Sequence, residues 1–528
     1  MSVLTKPVTQ GEGFRQAMAW LHTWVGLVAG WLLFAMFLTG TLAFFRPEIN
    51  AWMQPEVPAQ THVMPAGQAA DMAQTYLDSH APTAKRWVIS LPSTREPTIR
   101  LFYQEAKPAP GTRGFKSVRL DPITGQSVSA RATRGGDFLY RFHFELELAR
   151  PWGRWLASIA GMFMLVAIIS GIVTHKKIFR DFFTFRPKKG GQRAWMDGHN
   201  VLSVLGLPFH LMITFSGLLL FVAMVLPAGI DAAYRDHIDY FNERFPAISA
   251  TPLEQSHGQM LPLSTFVSQS QTEWKGGDVG GLVVVNPNTP NAVVQVQRDA
   301  TDAVSYARNP PSLAFHGVNG TLLSRNEDRG AAVVVADTII GLHLGFFAEP
   351  VLRWLYFLVS LAGTAMVGTG LVLWVKKRRQ KAAASGTHVF SLRLVDTLNA
   401  GSVAGCCLAV VVYFWANRLL PVEWAERASW ETSAFFMTWA LSYIYAFFCQ
   451  RYRWAGLLVL ASFLGLALPI LNAITTQRHL LASVPAGDWV MAGFDLTAIA
   501  CGLLLGWMAY RARQSSTASS RRQSPKAR

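Results

Sequence analysis

Eight stretches of this chain are each apolar for about the 20 residues that an α-helix needs to cross a hydrocarbon layer. They fall at about 18 to 44, 153 to 174, 201 to 226, 352 to 375, 397 to 416, 433 to 449, 454 to 472 and 489 to 510. In lipid every backbone N–H and C=O must find its partner inside the protein, so stretches of this kind can only be helices. The sixth is short and the seventh carries Pro469. With 51% hydrophobic and 15% charged residues, the chain reads as an integral membrane protein. The first block, preceded by Lys6 and Arg15, is too long in its apolar core for a cleaved leader and is expected to be a retained span.

The pattern inside these blocks repeats. Trp20-Leu21-His22 leads to Thr39-Gly40, and His199 leads to Ser216-Gly217, with 18 residues from histidine to glycine in both. Phe142-His143-Phe144 and Arg154-Trp155 return as Leu342-His343-Leu344 and Arg353-Trp354, and 16 residues separate each of these tryptophans from Gly171 and Gly370. The chain is therefore a duplicated unit of membrane helix, soluble insert and membrane helix.

The formal charge of +16 would suit nucleic acid, but Lys and Arg gather beside the apolar blocks. They cluster from His175 to Arg193, from Lys376 to Lys381, at Arg451 and Arg453, and in the Ser-rich tail. Orientation in a membrane explains them without nucleic acid, and with eight spans all fall on one side. Both termini are then cytoplasmic and the inserts extracytoplasmic. The expected division is an N-terminus over 1–17, a first repeat over 18–174 and a basic cytoplasmic loop over 175–197. A second repeat over 198–375, a basic linker over 376–394, four further membrane helices over 395–511 and a disordered basic tail over 512–528 complete it. The four cysteines offer no disulfide framework and no zinc site.

The first insert, about 50–140, predicts a helix near Gln68 to Ser79 and strands at Arg86 to Leu91, Thr98 to Tyr103 and Phe115 to Leu120. The turn Asp121-Pro122-Ile123-Thr124-Gly125 follows. The second insert, about 230–340, predicts strands at Leu282 to Val285, Ala292 to Gln297 and Val304 to Ala307, and it lacks the Asp-Pro-x-x-Gly turn. Each insert is expected to be a small α+β module.

A helix, a three-stranded meander and an Asp-Pro-x-x-Gly turn between paired membrane helices resemble the PepSY-associated transmembrane family of bacterial inner-membrane proteins. The resemblance covers about residues 14 to 380. It implies a polytopic α-helical protein with two PepSY-like extracytoplasmic modules. Some members are ferric-siderophore reductases of the FoxB type that carry haem in the membrane, and others are thought to regulate proteases. The family analogy thus implies an Fe(III)-siderophore as substrate.

Histidines carry the chemistry that the residues themselves suggest. An ionisable side chain at membrane depth is costly unless it faces the bundle interior with a partner. His22 and His199, with His175, are expected at one depth near the cytoplasmic face, and His143 and His343 at the outer face. A bis-histidine haem needs two neutral imidazoles from different helices at one depth. The repeat offers His22 with His199 as an inner pair and His143 with His343 as an outer pair, so two b haems are expected. His175 is an alternative inner ligand. His210 is expected about 16 Å deeper than His199 along one helix at 1.5 Å per residue, where it lines the path between the layers or binds alone. Arg154 and Arg353 are candidate partners for haem propionates, and snorkelling at the interface explains them equally. Gly40, Gly171, Gly217 and Gly370 permit close helix approach or room for a flat group. His62, His80, His237, His257, His316, His388 and His479 are expected to be solvated or locally bonded.

No Walker loop, GxGxxG, HExxH or GxSxG motif occurs in a supporting context. The electrons for a reductase would come from a cytoplasmic partner or a membrane quinol. The reading is an electron conduit that reduces an Fe(III)-siderophore outside the membrane. Its alternatives are a PepSY-based sensor of an extracytoplasmic protein and a permease for iron complexes, for which Asp495 would be relevant.

Overall fold

The computed structural model describes residues 10–59, 63–106, 114–175, 191–244, 258–327, 329–385 and 390–523. The chain forms two compact units, one of residues 1–54, 132–221 and 354–528 and one of residues 55–131 and 222–353. In chain order its principal helices are α1 (Gln10–Ala43), α2 (Arg46–Met53), α3 (Ala66–His80), α4 (Gly135–Glu145), α5 (Trp152–Thr174), α6 (Gly191–Leu205) and α7 (Leu207–Leu219). They continue with α8 (Leu263–Glu273), α9 (Ala331–Leu344), α10 (Pro350–Ser385), α11 (Phe390–Leu419), α12 (Arg427–Phe448), α13 (Arg453–Thr475) and α14 (Trp489–Gln523).

The first unit is helical. Among the described residues six helices, α1, α5, α10, α11, α13 and α14, are long and apolar enough to cross a membrane, and a seventh span results if α6 and α7 count as one. Eight were expected, and two local causes account for the difference. Helix α12 covers the sixth stretch, but Ser, Thr, Tyr and Trp dilute its apolar content. The third stretch breaks at Gly206, where α6 and α7 meet at 67°. Pro208 lies in the first turn of α7 and has no N–H to continue the hydrogen-bond ladder, a sufficient cause of a kink. The bend removes the single axis along which His210 was expected 16 Å beyond His199.

Helix α11 contains one π turn, Gly401–Gly405. There the Gly401 carbonyl accepts a bond from Trp439 Nε1 at 3.1 Å. Asn399, just before it, accepts from Trp31 Nε1 at 2.7 Å and donates to the Leu371 carbonyl at 2.9 Å, so α11 is tied to α1 and α10. Helix α14 runs to Gln523, and the tail expected to be disordered from 512 is helical that far. The linker expected from 376 is likewise the end of α10 as far as Ser385.

The second unit is built on one antiparallel sheet. Its strands are β1 (Arg86–Ser90), β2 (Ile99–Gln104), β3 (Phe115–Leu120), β4 (Val279–Val285), β5 (Val293–Arg298), β6 (Ser312–His316) and β7 (Leu322–Asn326). Their order is β3-β2-β1-β4-β5-β6-β7. The two expected modules are therefore joined edge to edge through β1 and β4, with Val88 opposite Val283. A three-stranded module would leave one of these edges bare, and mutual pairing removes that liability. Gly281 permits the approach, since a Cβ there would stand 2.6 Å from the Ile89 carbonyl oxygen. Helices α3 and α8 pack over the sheet through Ala73, Leu77, Leu263 and Phe266, which bury Trp87, Leu101, Leu282 and Val294.

The expected strand at Val304 to Ala307 is instead a 3₁₀ turn, Val304–Tyr306, while β6 and β7 were not anticipated. Alternation misled here because the short apolar run Val304-Ser305-Tyr306 packs against α9. Gly341 comes so close to the Val304 carbonyl that a Cβ there would lie 1.7 Å away.

Candidate functional site

In a helix interior a backbone carbonyl already serves the N–H four residues on, so a side chain that bonds to it as well must find room beside that next turn. Small residues supply the room. Helix α5 carries the sequence Ala167-Ile168-Ile169-Ser170-Gly171, and His22 of α1 docks on it. His22 Nδ1 lies 2.8 Å from the Ala167 carbonyl oxygen, and a Cβ on Gly171 would stand 3.2 Å from His22 Cε1. The second repeat builds the same contact. His199 Nδ1 lies 3.0 Å from the Met366 carbonyl oxygen of α10, and a Cβ on Gly370 would stand 3.3 Å from His199 Cε1.

A third docking follows the same rule on α1. His143 of α4 places Nδ1 2.7 Å from the Met36 carbonyl oxygen, and a Cβ on Gly40 would lie 2.6 Å from that nitrogen. In each case the glycine follows the accepting residue by four positions and a hydroxyl residue precedes it, as Thr39-Gly40, Ser170-Gly171 and Thr369-Gly370. Each hydroxyl bonds back to its own helix, Thr39 to Ala35 at 2.8 Å, Ser170 to Val166 at 2.6 Å and Thr369 to Met366 at 2.9 Å. Thr369 Oγ1 also stands 3.2 Å from His199 Nδ1. A fourth copy, Ser216-Gly217 on α7, has the same hydroxyl bond, to Met212 at 2.6 Å. All four hydroxyl–glycine pairs are legible in the sequence, and the hydroxyl is the part of the signal that the glycines alone do not carry.

A carbonyl oxygen can only accept, so Nδ1 of His22, His199 and His143 carries the proton and a neutral ring keeps its lone pair on Nε2. This is how a metal-ligating imidazole is usually prepared, with its far nitrogen held by a fixed acceptor. The rings of His22 and His199 meet with centres 6.4 Å apart and planes 67° apart. The structure thus brings together the two histidines of the expected inner pair. His175, the residue capping the C-terminus of α5, lies within electrostatic range of both.

His210 follows the bend, buried against Gly206 and Gly363. Its Nε2 lies 3.3 Å from the Val359 carbonyl oxygen, and its buried Nδ1 has no partner. It therefore presents the opposite nitrogen to the other three rings. His343 stands on α9 in the second unit, in the last turn before Gly345. Arg353 of that unit donates to the Ala348 carbonyl at 2.8 Å.

Arg154, read from sequence as open to a cofactor carboxylate, is taken up by a residue of the chain. It donates to Glu145 Oε1 from Nε at 3.0 Å and from Nη2 at 2.6 Å. Arg141 and Arg150 bond the same buried carboxylate at 2.9 and 2.7 Å. Burial pushes the Glu145 carboxyl up, but the three arginines outweigh it and hold the group below its ordinary value. Two residues earlier, burial lowers the His143 imidazole from its ordinary value and the Met36 bond offsets part of this, so the ring is neutral near pH 7. Only Arg141 is a helical neighbour of Glu145; Arg150 and Arg154 reach it when the turn after α4 folds back, which spacing along the chain does not show. Gly153 allows that turn, since a Cβ there would stand 1.8 Å from the Glu145 carbonyl oxygen.

Of the remaining histidines, His80, His237 and His316 have local bonds, whereas the buried Nδ1 of His479 has no hydrogen-bond partner among the described residues. His80 stacks on Tyr76 at 3.9 Å between ring centres, and His237 bonds Asp231 at 2.8 Å. His62, His257 and His388 lie outside the described residues. In the second unit Asp71, Gln74, Asp78, Gln259, Pro262 and Asn288 line an open polar cleft of about 430 Å³.

Comparison with known proteins agrees with the repeat. The chain is 27% identical to an uncharacterized protein of Pseudomonas aeruginosa, PA4219, over 71% of this chain and 95% of that relative. The profile of the PepSY-associated TM region matches residues 19–377, which span both copies of the repeat and stop before α11. This multi-span membrane protein belongs to the PepSY-associated transmembrane family.

Proposed function

We propose that the chain is a haem-containing electron-transfer protein of the bacterial inner membrane, reducing an Fe(III)-siderophore on the periplasmic side so that the iron is released. The observation that carries this reading is the His22–His199 pair. A metal–imidazole bond of about 2 Å, with roughly 1 Å more from nitrogen to ring centre, puts two rings on one iron about 6 Å apart. The observed separation is 6.4 Å. Both rings keep their lone pairs on Nε2, and both are held from behind by main-chain carbonyls that cannot rotate away. His22 and His199 are the residues that would hold a bis-histidine haem there.

A haem held there supplies one-electron exchange. The chain's own part is to fix the two imidazoles, keep them neutral and exclude water. One such group cannot easily serve both faces of a hydrocarbon layer about 30 Å thick. The reading therefore keeps a second haem nearer the outer face, with His143 and His343 as its ligands and Arg353 toward a propionate. His175 and His210 stand as further candidates. Electrons enter from a cytoplasmic reductase or a quinol, with both termini on that side. Hard oxygen donors hold Fe(III) better than the larger, less charged Fe(II), so reduction loosens the chelate. That substrate rests on analogy within the family.

The test is a reduced-minus-oxidised spectrum of the detergent-purified protein with a pyridine haemochrome count. About two low-spin b haems per chain are expected from the two sets of histidines. A folded protein with no haem, produced with ample haem supply, would overturn the reading in favour of a sensor or permease.

A further inference from the structure

We infer that the helices after the repeat, α11 to α14, position α4 and thereby set the placement of His143. This rests on the reading of His143 as an outer haem ligand. The evidence is a closed polar network at the start of α4. Glu431 of α12 accepts from Thr133 Oγ1 at 2.5 Å and from Asn417 Nδ2 at 2.8 Å, and it pairs with Arg427 in full burial. Arg427 also donates to the Ala132 carbonyl at 2.7 Å. Tyr413 of α11 donates its hydroxyl to the Gly135 carbonyl at 2.9 Å. Three residues before or at the first turn of α4, 132, 133 and 135, are thus bonded by α11 and α12.

The same helices fix the rotation of α4. Phe138 packs on Tyr413 and Phe435 with ring centres 5.0 and 5.2 Å away, and Phe142 packs on Phe435 and Trp439 at 5.7 and 6.0 Å. Phe142 adjoins His143, about 100° round the helix, so holding the phenylalanine against α12 aims the imidazole at the Met36 carbonyl of α1. The network continues to α2. Arg418 lies over the Trp52 ring at 3.7 Å and donates to Asn472 at 2.9 Å, and Asp495 accepts from Trp52 Nε1 and Asn472 Nδ2, both at 3.0 Å. The two segments that flank the first insert, α2 and α4, are therefore both gripped by the later helices. Two buried arginines face two buried carboxylates there. Such a cluster holds its members in one arrangement, because removing either sign strands the other.

The test uses the full chain in detergent with Tyr413→Phe, Thr133→Val and Thr133→Ser. The haem whose signal vanishes in His143→Ala identifies the outer site. Tyr413→Phe and Thr133→Val are expected to shift its low-spin resonance and midpoint potential, leaving the signal that depends on His22 and His199 unmoved. Thr133→Ser, which keeps the hydroxyl, is expected to restore it. An unmoved outer signal in both disruptive variants, with the inner signal intact as proof of folding, overturns the inference. If the parent chain carries no haem, the function proposed above falls. Hydrogen exchange across residues 135–145 then decides. Faster exchange in Tyr413→Phe supports the positioning role of α11, and unchanged exchange overturns it.

Discussion

In α1, α4, α6 and α7 the polar groups that reach the interior include single imidazoles, each docked by one nitrogen on a helical turn. Helices α11 to α13 instead bury full charges, Arg427 against Glu431 and Arg418 among the polar groups of Asn417 and Asn472 and the ring of Trp52. The difference is chemical. A neutral imidazole can stand with its second nitrogen unspent at modest cost, whereas a buried guanidinium or carboxylate must be answered on nearly every side. The docked imidazoles therefore collect in the repeat, and the later helices spend their buried charges on one another and on the segments around α2 and α4, which they hold in place.

The comparison breaks or stands first on the docked histidines. His199→Ala and His22→Ala are each expected to remove one whole haem signal per chain, read by haemochrome count. Retention of every haem in both variants would place the cofactor elsewhere. Next in size is Glu431→Ala, which strands Arg427 in the interior and is expected to cost about 3–5 kcal/mol. The fall in thermal midpoint in detergent measures it, and joint replacement of Arg427 and Glu431 by Met and Leu should recover most of the loss. Stability unaffected by Glu431→Ala would show that the later helices do not depend on their ion pair.

Smaller effects separate the three docking turns from one another. Gly40→Ala places a Cβ 2.6 Å from the His143 ring, an overpacking expected to cost about 1–3 kcal/mol and to disturb the outer signal. Gly370→Ala meets His199 at 3.3 Å, which the ring can accommodate by a few tenths of an ångström. Its inner signal should move slightly with haem content kept, and an equal effect of the two variants would contradict the geometry.

The smallest effect concerns Glu145. Its carboxyl is held below the ordinary 4.5 in the folded chain. The stability it contributes is complete above that ordinary value and is lost as pH falls through the lowered one. Glu145→Gln should therefore flatten the loss of stability as pH falls below the ordinary carboxylate range and lower the plateau at pH 7. A parallel acid limb in the variant would show that the arginines do not stabilise the folded turn.

How much of the site was legible varies with the length scale of the interaction. The 18-residue spacing from His22 to Gly40 and from His199 to Gly217 marked the repeat, and the helical period fixed which residues share a face. Yet Gly40 serves His143 and not His22, and Gly171 serves His22. Spacing along one helix does not say which neighbour a face meets. The bend at Gly206 was similarly hidden, although Pro208 signalled it, because an apolar run reads alike whether it is straight or broken.

What the sequence determined by itself was that the chain is a multi-span helical membrane protein, the duplication and the histidines to consider. All three follow from local composition, since lipid leaves an apolar stretch no choice but a helix. Only the tertiary structure decided that the two inserts share one sheet through β1 and β4, that Arg154 belongs to Glu145, and that His22 and His199 face each other. These are contacts between residues far apart in the chain, formed by burial and pairing, which no short-range pattern encodes.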